Sequence, residues 1–121
     1  MATVLVIDDE APMRKMVRSI LESASFQVIE APNGVEGVRL FKEQRPALVI
    51  TDMLMPDKEG LQTVTEIRQI DPKAKIIAMS GGGRAARTDF LQVAQKFGAS
   101  ACLTKPFRRG DLLATVQKHL A

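Results

Sequence analysis

Five short apolar runs recur along the chain: Val4–Ile7, Phe26–Ile29, Leu48–Ile50, Ile76–Met79 and Ala101–Leu103. Most are continuous rather than alternating, which is the pattern of strands buried on both faces of a parallel sheet. The segments between them carry a helical period. Met13, Met16, Val17, Ile20 and Leu21 follow the i, i+3, i+4, i+7, i+8 stripe of a core-facing helix. Phe90, Val93, Ala94 and Phe97 predict another, and Leu112, Leu113, Val116 and Leu120 form the last stripe. Leu61, Val64, Ile67 and Ile70 give a rougher one, while Val35, Val38 and Phe41 are interrupted by Gly37. Strand and helix alternate five times.

Punctuation agrees with the periodicity. Pro12 suits the first turn of a helix, where its missing N–H costs nothing. Pro32-Asn33-Gly34, Arg45-Pro46, Asp71-Pro72 and Gly98 mark turns or helix ends, and Asp57 and Glu59 read as caps of the third helix. The alternation predicts an α/β fold, a doubly wound five-stranded parallel sheet with five helices on its two faces. Gly81-Gly82-Gly83 falls between the fourth strand and the fourth helix, where it predicts a mobile loop.

Composition narrows the class. A chain of 121 residues, 45% hydrophobic and 26% charged, fits one domain over residues 1–121. Five Phe without Trp or Tyr argue against a stacking platform for single-stranded nucleic acid. The single Cys102 excludes an internal disulfide and fits a reducing compartment. Met1–Ile7 lacks a basic leader and no apolar stretch approaches the roughly 20 residues that span a bilayer, so the expectation is cytoplasmic, without membrane insertion. The net charge of +3 is unevenly spread: residues 1–80 carry 10 basic and 12 acidic side chains, residues 81–121 carry 7 and 2. No motif suggests direct nucleic-acid binding. The basic third reads as a solvated face or a contact for an acidic partner.

The chemistry gathers where the predicted strands end. In a doubly wound sheet, function lies beyond the carboxyl ends of the strands, where strand order reverses. The first strand runs into Asp8-Asp9-Glu10, the second into Glu30-Ala31-Pro32, the third into Asp52, the fourth into Ser80 and the fifth into Lys105-Pro106. A strand order of 2-1-3-4-5 makes the first and third strands neighbours. Asp8, Asp9 and Asp52 then converge, with the Ser80 hydroxyl and the Lys105 ammonium approaching from the other side. Three carboxylates in one crevice repel unless a cation joins them. Few carboxylates plus several waters suit Mg²⁺. An Asp beside Mg²⁺ and a Lys is placed to accept a phosphoryl group, with Ser80 as a donor to a phosphoryl oxygen. Taken singly, these are helix-start acids, a capping Ser and a Lys-Pro turn; their joint placement at four of five strand ends is far more specific.

Four segments carry a resemblance: Val6-Ile7-Asp8-Asp9-Glu10, Ile50-Thr51-Asp52-Met53-Leu54-Met55-Pro56, Met79-Ser80 and Leu103-Thr104-Lys105-Pro106-Phe107. In order and spacing the chain resembles the receiver domains of two-component response regulators, of the CheY type, over essentially its whole length. The resemblance implies a flavodoxin-like fold and a phosphorylation-activated switch, not a turnover enzyme. It implies Asp52 as phosphoacceptor, Asp9 as a direct Mg²⁺ ligand and Asp8 acting through water. Asp52 and the backbone carbonyl of Leu54 would complete the metal shell. Lys105 would pair with the phosphoryl group, Ser80 would be the switch hydroxyl, and the Lys105-Pro106 bond would be cis. Implied partners are a sensor histidine kinase or phosphotransfer protein as donor, and a downstream protein target. The target's surface would be the face of the fourth helix, fifth strand and fifth helix, where Arg84, Arg87, Lys96, Arg108, Arg109 and Lys118 lie.

Two departures shape the expected switch. Receivers often carry an aromatic residue three positions before the lysine, and here it is Cys102; the position two after the acceptor, often polar, is Leu54. Switching is therefore expected to draw Ser80 and the Gly81–Gly83 loop inward without a buried ring. Two competing readings stand beside this one. A small Mg²⁺-dependent phosphohydrolase would also form an aspartyl phosphate, but it wants Asp-x-Asp after the first strand, whereas Asp8 and Asp9 are adjacent. A nucleotide-binding module would use Gly81-Gly82-Gly83-Arg84-Ala85-Ala86 as a phosphate loop, although that fingerprint belongs after the first strand of its unit.

Overall fold

The apolar runs fold as strands because each has a hydrophobic layer to enter on both sides. The computed structural model describes residues 2–53, 60–80, 96 and 98–120, with Leu61 and Ser80 described by their backbone alone. The strands are β1 (Thr3–Ile7), β2 (Gln27–Ala31), β3 (Leu48–Asp52), β4 (Ile76–Ser80) and β5 (Ala101–Thr104). All pair in parallel, in the order β2-β1-β3-β4-β5. Four helices accompany them among the described residues: α1 (Ala11–Ser23), α2 (Gly34–Gln44), α3 (Gly60–Ile70) and α4 (Arg109–Leu120). The helix expected around Phe90–Phe97 and the Gly81–Gly83 loop lie outside the described residues, as do Asp57 and Glu59.

β1 shows why the runs are unbroken. Its residues Val4 to Ile7 are all fully buried. Leu5 and Ile7 enter one cluster with Val38 and Phe41 of α2 and Val64 and Ile67 of α3. Val4 and Val6 enter the other, with Val17 and Leu21 of α1 and Leu112 and Val116 of α4. Strand alternation thus feeds two cores, so Val4 to Ile7 are apolar on both faces. Each fully buried Leu or Ile contributes about 1.5–3 kcal/mol.

The helices follow the same accounting, with two adjustments. Met16, expected in the core, is 41% exposed. One residue turns a helix by about 100°, so with Val17 and Leu21 facing the sheet, Met16 falls at the outer flank of the stripe. Gly37, which interrupts the α2 stripe, marks close packing: a Cβ there would stand 2.4 Å from Cδ1 of Ile7. Pro12 does sit in the first turn of α1. Asn33 caps α2, its side chain accepting from the Glu36 N–H at 2.8 Å. Arg45 closes that helix in the left-handed region at φ 46°. No helix among the described residues is long and apolar enough to cross a membrane.

Candidate functional site

Parallel strands deliver their carboxyl ends to one edge of the sheet. Asp8 follows β1 directly, and its N–H donates to the Ala31 carbonyl at 3.1 Å, carrying the β1–β2 ladder one residue further. That contact holds Asp8 wholly buried. Its Oδ1 accepts the Glu10 N–H at 2.9 Å, which tightens the turn into α1. Asp52 is the last residue of β3 and is 4% exposed. Lys105 follows β5 and is buried as well, with the Lys105–Pro106 peptide cis.

Lys105 joins these ends. Its Nζ donates to Asp8 Oδ2 at 3.0 Å and lies 3.5 Å from Asp52 Oδ2 and 3.9 Å from Glu10 Oε1. Burial works against the ammonium charge. The Asp8 hydrogen bond and the charges of Asp52, Asp8 and Glu10 outweigh it and hold Lys105 above its ordinary range. Asp8, Glu10 and Asp52 each bring a carboxylate oxygen to within 4.8 Å of the others. Among the described residues, one ammonium stands among three acids, which leaves that group with excess negative charge. All the donors are hard oxygens, a set that fits a small divalent cation completed by water.

The expected residues divide into three groups. Asp8, Asp52 and Lys105 come together. Asp9 is exposed and stands outside the three-acid group, in which Glu10 takes part instead. The chain bends at Asp9, and the Glu10 N–H donating to Asp8 Oδ1 at 2.9 Å folds the turn so that Glu10 stands beside Asp8. The Leu54 carbonyl and the Ser80 side chain lie outside the described residues; the Ser80 backbone ends β4, in register with Thr104. Cys102, in register with Ala78, is half-buried against the core on the α2–α3 side, and burial pushes its thiol up.

Two supporting residues escaped the sequence reading. Gly60 N–H donates to the Met53 carbonyl at 3.2 Å, and a Cβ at Gly60 would lie 2.4 Å from Met53 Cα and 2.5 Å from the Asp52 carbonyl. A side chain there would push α3 off the end of β3. The available signal was a lone Gly shortly after Asp52 at a predicted helix start. Arg14 carries no sequence signal at all. Its guanidinium donates to the Asp8 carbonyl at 2.9 Å and to Glu30 Oε1 at 2.8 Å.

Comparison with known proteins gives a consistent answer. Residues 4–117 match the family model described as response regulator receiver domain. The chain is 38% identical to the chemotaxis protein CheY of Bacillus subtilis (strain 168) over 119 residues, covering 97% of this chain and 96% of that protein. It is 39% identical to the chemotaxis protein CheY of Thermotoga maritima over 116 residues, covering 95% and 94%. The crystal structure of Vibrio cholerae chemotaxis protein CheY4 superposes with a TM-score of 0.91 at 30% identity, covering 99% of both chains. Nothing in these matches favours the phosphohydrolase reading. The chain belongs to the response regulator receiver-domain family, the phosphorylation-activated switches of two-component signalling.

Proposed function

We propose that residues 1–121 act as one receiver domain whose Asp52 accepts a phosphoryl group from a histidine kinase or phosphotransfer protein, with Mg²⁺ as cofactor. The observation that carries this is the convergence of buried Asp52 and Asp8 on the Lys105 ammonium at the strand ends. A carboxylate oxygen of Asp52 attacks phosphorus in line as the P–N bond of a phosphohistidine breaks. The electron pair leaves with the imidazole nitrogen. Lys105, kept charged by its acidic neighbours, needs only a short swing from Asp8 to meet an equatorial phosphoryl oxygen. Mg²⁺, when bound, neutralises charge on those oxygens and relieves the repulsion among the acids.

In this reading Asp9 and Asp52 would hold the metal directly, Asp8 would act through water, and the Leu54 carbonyl would complete the set. Glu10 joins as a further carboxylate, since it stands with Asp8 and Asp52. Ser80 is the switch hydroxyl. The phosphoryl group is lost by hydrolysis within the same site, so the domain catalyses its own transfer and reset without turning over free substrate. The signal passes in the cytoplasm to a protein target, without direct nucleic-acid contact. The contact face includes the exposed Lys96, Arg108, Arg109 and Lys118, together with Arg84 and Arg87.

Incubation with acetyl phosphate and Mg²⁺, followed by intact-mass measurement, tests the reading. One phosphoryl adduct is expected on the unsubstituted chain and none on Asp52→Asn. An undiminished adduct on Asp52→Asn overturns the assignment. Mg²⁺ titration of Asp9→Asn and Asp8→Asn ranks the ligands, with the larger loss expected for Asp9→Asn; equal affinities reject its direct role.

A further inference from the structure

Asp8 is tied down at every polar atom it has. Its N–H meets the Ala31 carbonyl, its Oδ1 the Glu10 N–H and its Oδ2 the Lys105 ammonium. The remaining atom, its carbonyl oxygen, accepts from Nη1 of Arg14. Arg14 reaches it from the first turn of α1, and Nε of the same guanidinium donates to Oε1 of Glu30 near the end of β2. Both side chains are 15% exposed. Glu30 is itself fixed on its other oxygen by Arg18 Nη1 at 2.7 Å. The chain of contacts runs from β2 through α1 to the backbone of the acidic turn. It touches none of the three clustered carboxylates.

We propose that Arg14, oriented by Glu30, is a positioning residue for the metal-binding turn at the end of β1. The inference rests on the Mg²⁺ reading above and deepens it. A planar guanidinium can serve the Asp8 carbonyl and the Glu30 carboxylate at once, because its donors fork in fixed directions. The Asp8–Glu10 turn carries two of the three clustered acids, so its orientation decides how those carboxylates converge. Mutual repulsion among the acids pushes that turn open, and a fixed carbonyl opposes the opening. Glu30 also neutralises the Arg14 charge, which would otherwise repel an incoming cation. Glu30 therefore acts on the site through Arg14 and not independently.

The test is a Mg²⁺ titration of the whole chain, followed by amide chemical shifts, on the unsubstituted protein, Arg14→Met, Glu30→Gln and the double variant, each checked by its melting curve. Groups that orient metal ligands typically change affinity by about 10–100-fold when removed, so Arg14→Met is expected to bind Mg²⁺ about tenfold more weakly. Glu30→Gln is expected to shift affinity in the same direction by less. The double variant is expected to match Arg14→Met, because the Glu30 effect travels through the guanidinium. A purely structural role would lower melting temperatures while leaving Mg²⁺ affinity in place. Affinity of Arg14→Met within twofold of the unsubstituted chain overturns the inference, and so does full additivity in the double variant. If Arg14→Met does not fold, Glu30→Gln alone decides, and unchanged affinity there counts against it. Absence of Mg²⁺ binding by the unsubstituted chain overturns the metal reading itself, a result distinct from the others.

Discussion

Two ionic clusters in this protein look alike by distance and differ in everything that matters. On α2, Arg39 lies 2.6 Å from Glu36 and 2.5 Å from Glu43, with all three side chains about half exposed. At the strand ends, Lys105 lies 3.0 Å from Asp8 and 3.5 Å from Asp52, with all three nearly excluded from water. The α2 contacts are shorter, yet water screens them and competes for every partner. The strand-end contacts are longer, but each buried carboxylate has lost hydration, and Lys105 replaces part of it for both. Separation alone is a poor guide to the worth of an ion pair; desolvation and the ratio of acids to cations decide it. Among the described residues the strand-end cluster sets three acids against one ammonium, an arrangement that serves ligand charge better than stability.

Removing the ammonium should give the largest effect. Lys105→Met leaves Asp8 and Asp52 buried together, and breaking a buried pair from one side costs about 3–5 kcal/mol. The loss should appear in urea unfolding at neutral pH, and added Mg²⁺ should restore part of it. Since the folded state raises the Lys105 pKa above 10.5, its stabilisation is fully present below that value. It fades as pH rises through the raised value. A variant as stable as the parent at pH 7 would erase the contrast between the two clusters.

Asp52→Asn should move in the opposite direction. It removes one charge from an over-acidic group while keeping the side chain's shape, and Lys105 retains Asp8 at 3.0 Å. A gain of about 1 kcal/mol in urea unfolding without divalent cation is expected, of the size seen when poorly compensated buried charge is removed. A loss of that size would mean that Asp52 is held by attraction, and the cluster would not be over-acidic.

Glu30 lies between the extremes. Hydrogen bonds from Arg18 and, against some burial, from Arg14 hold its carboxyl below the usual 4.5. Its contribution is therefore present above pH 4.5 and lost as pH falls through the lowered value. Glu30→Gln should melt earlier than the parent at pH 7, by about 1 kcal/mol. The two melting curves should converge in acid. Parallel curves down to pH 2 would show that the charge of Glu30 contributes nothing.

The sequence carries the two-layered core openly, because a run buried on both faces is apolar throughout, as Val4–Ile7 of β1 is. Strand order is less visible: periodicity does not choose neighbours, and 2-1-3-4-5 is set by pairings such as Val6 with Ile50, between residues far apart in the chain. Of the site, Asp8, Asp52 and Lys105 are readable as strand-end residues. The partition of Asp9 from Glu10 is not, because it depends on one Asx-type hydrogen bond, from the Glu10 N–H to Asp8 Oδ1. Arg14 and Gly60 act through backbone carbonyls, which every residue possesses. Nothing in a string of side chains marks which carbonyl will be used.

The smallest effect belongs to Arg39→Ala. Arg39 contacts residues three and four positions away on its own helix, so no tertiary structure depends on it. Glu36 holds its guanidinium pKa up, as Glu43 does more weakly, but the group is open to solvent and that shift carries little stability. Alanine also has the higher helix propensity, which offsets part of what the ion pairs contribute. The melting temperature should fall far less than for Glu30→Gln in the same low-salt buffer. At high ionic strength the remaining difference should vanish, because exposed charges are screened there while Lys105 is not. A drop in Arg39→Ala equal to that of Glu30→Gln, or one that persists in 1 M salt, would show that exposed and half-buried pairs are worth the same in this fold.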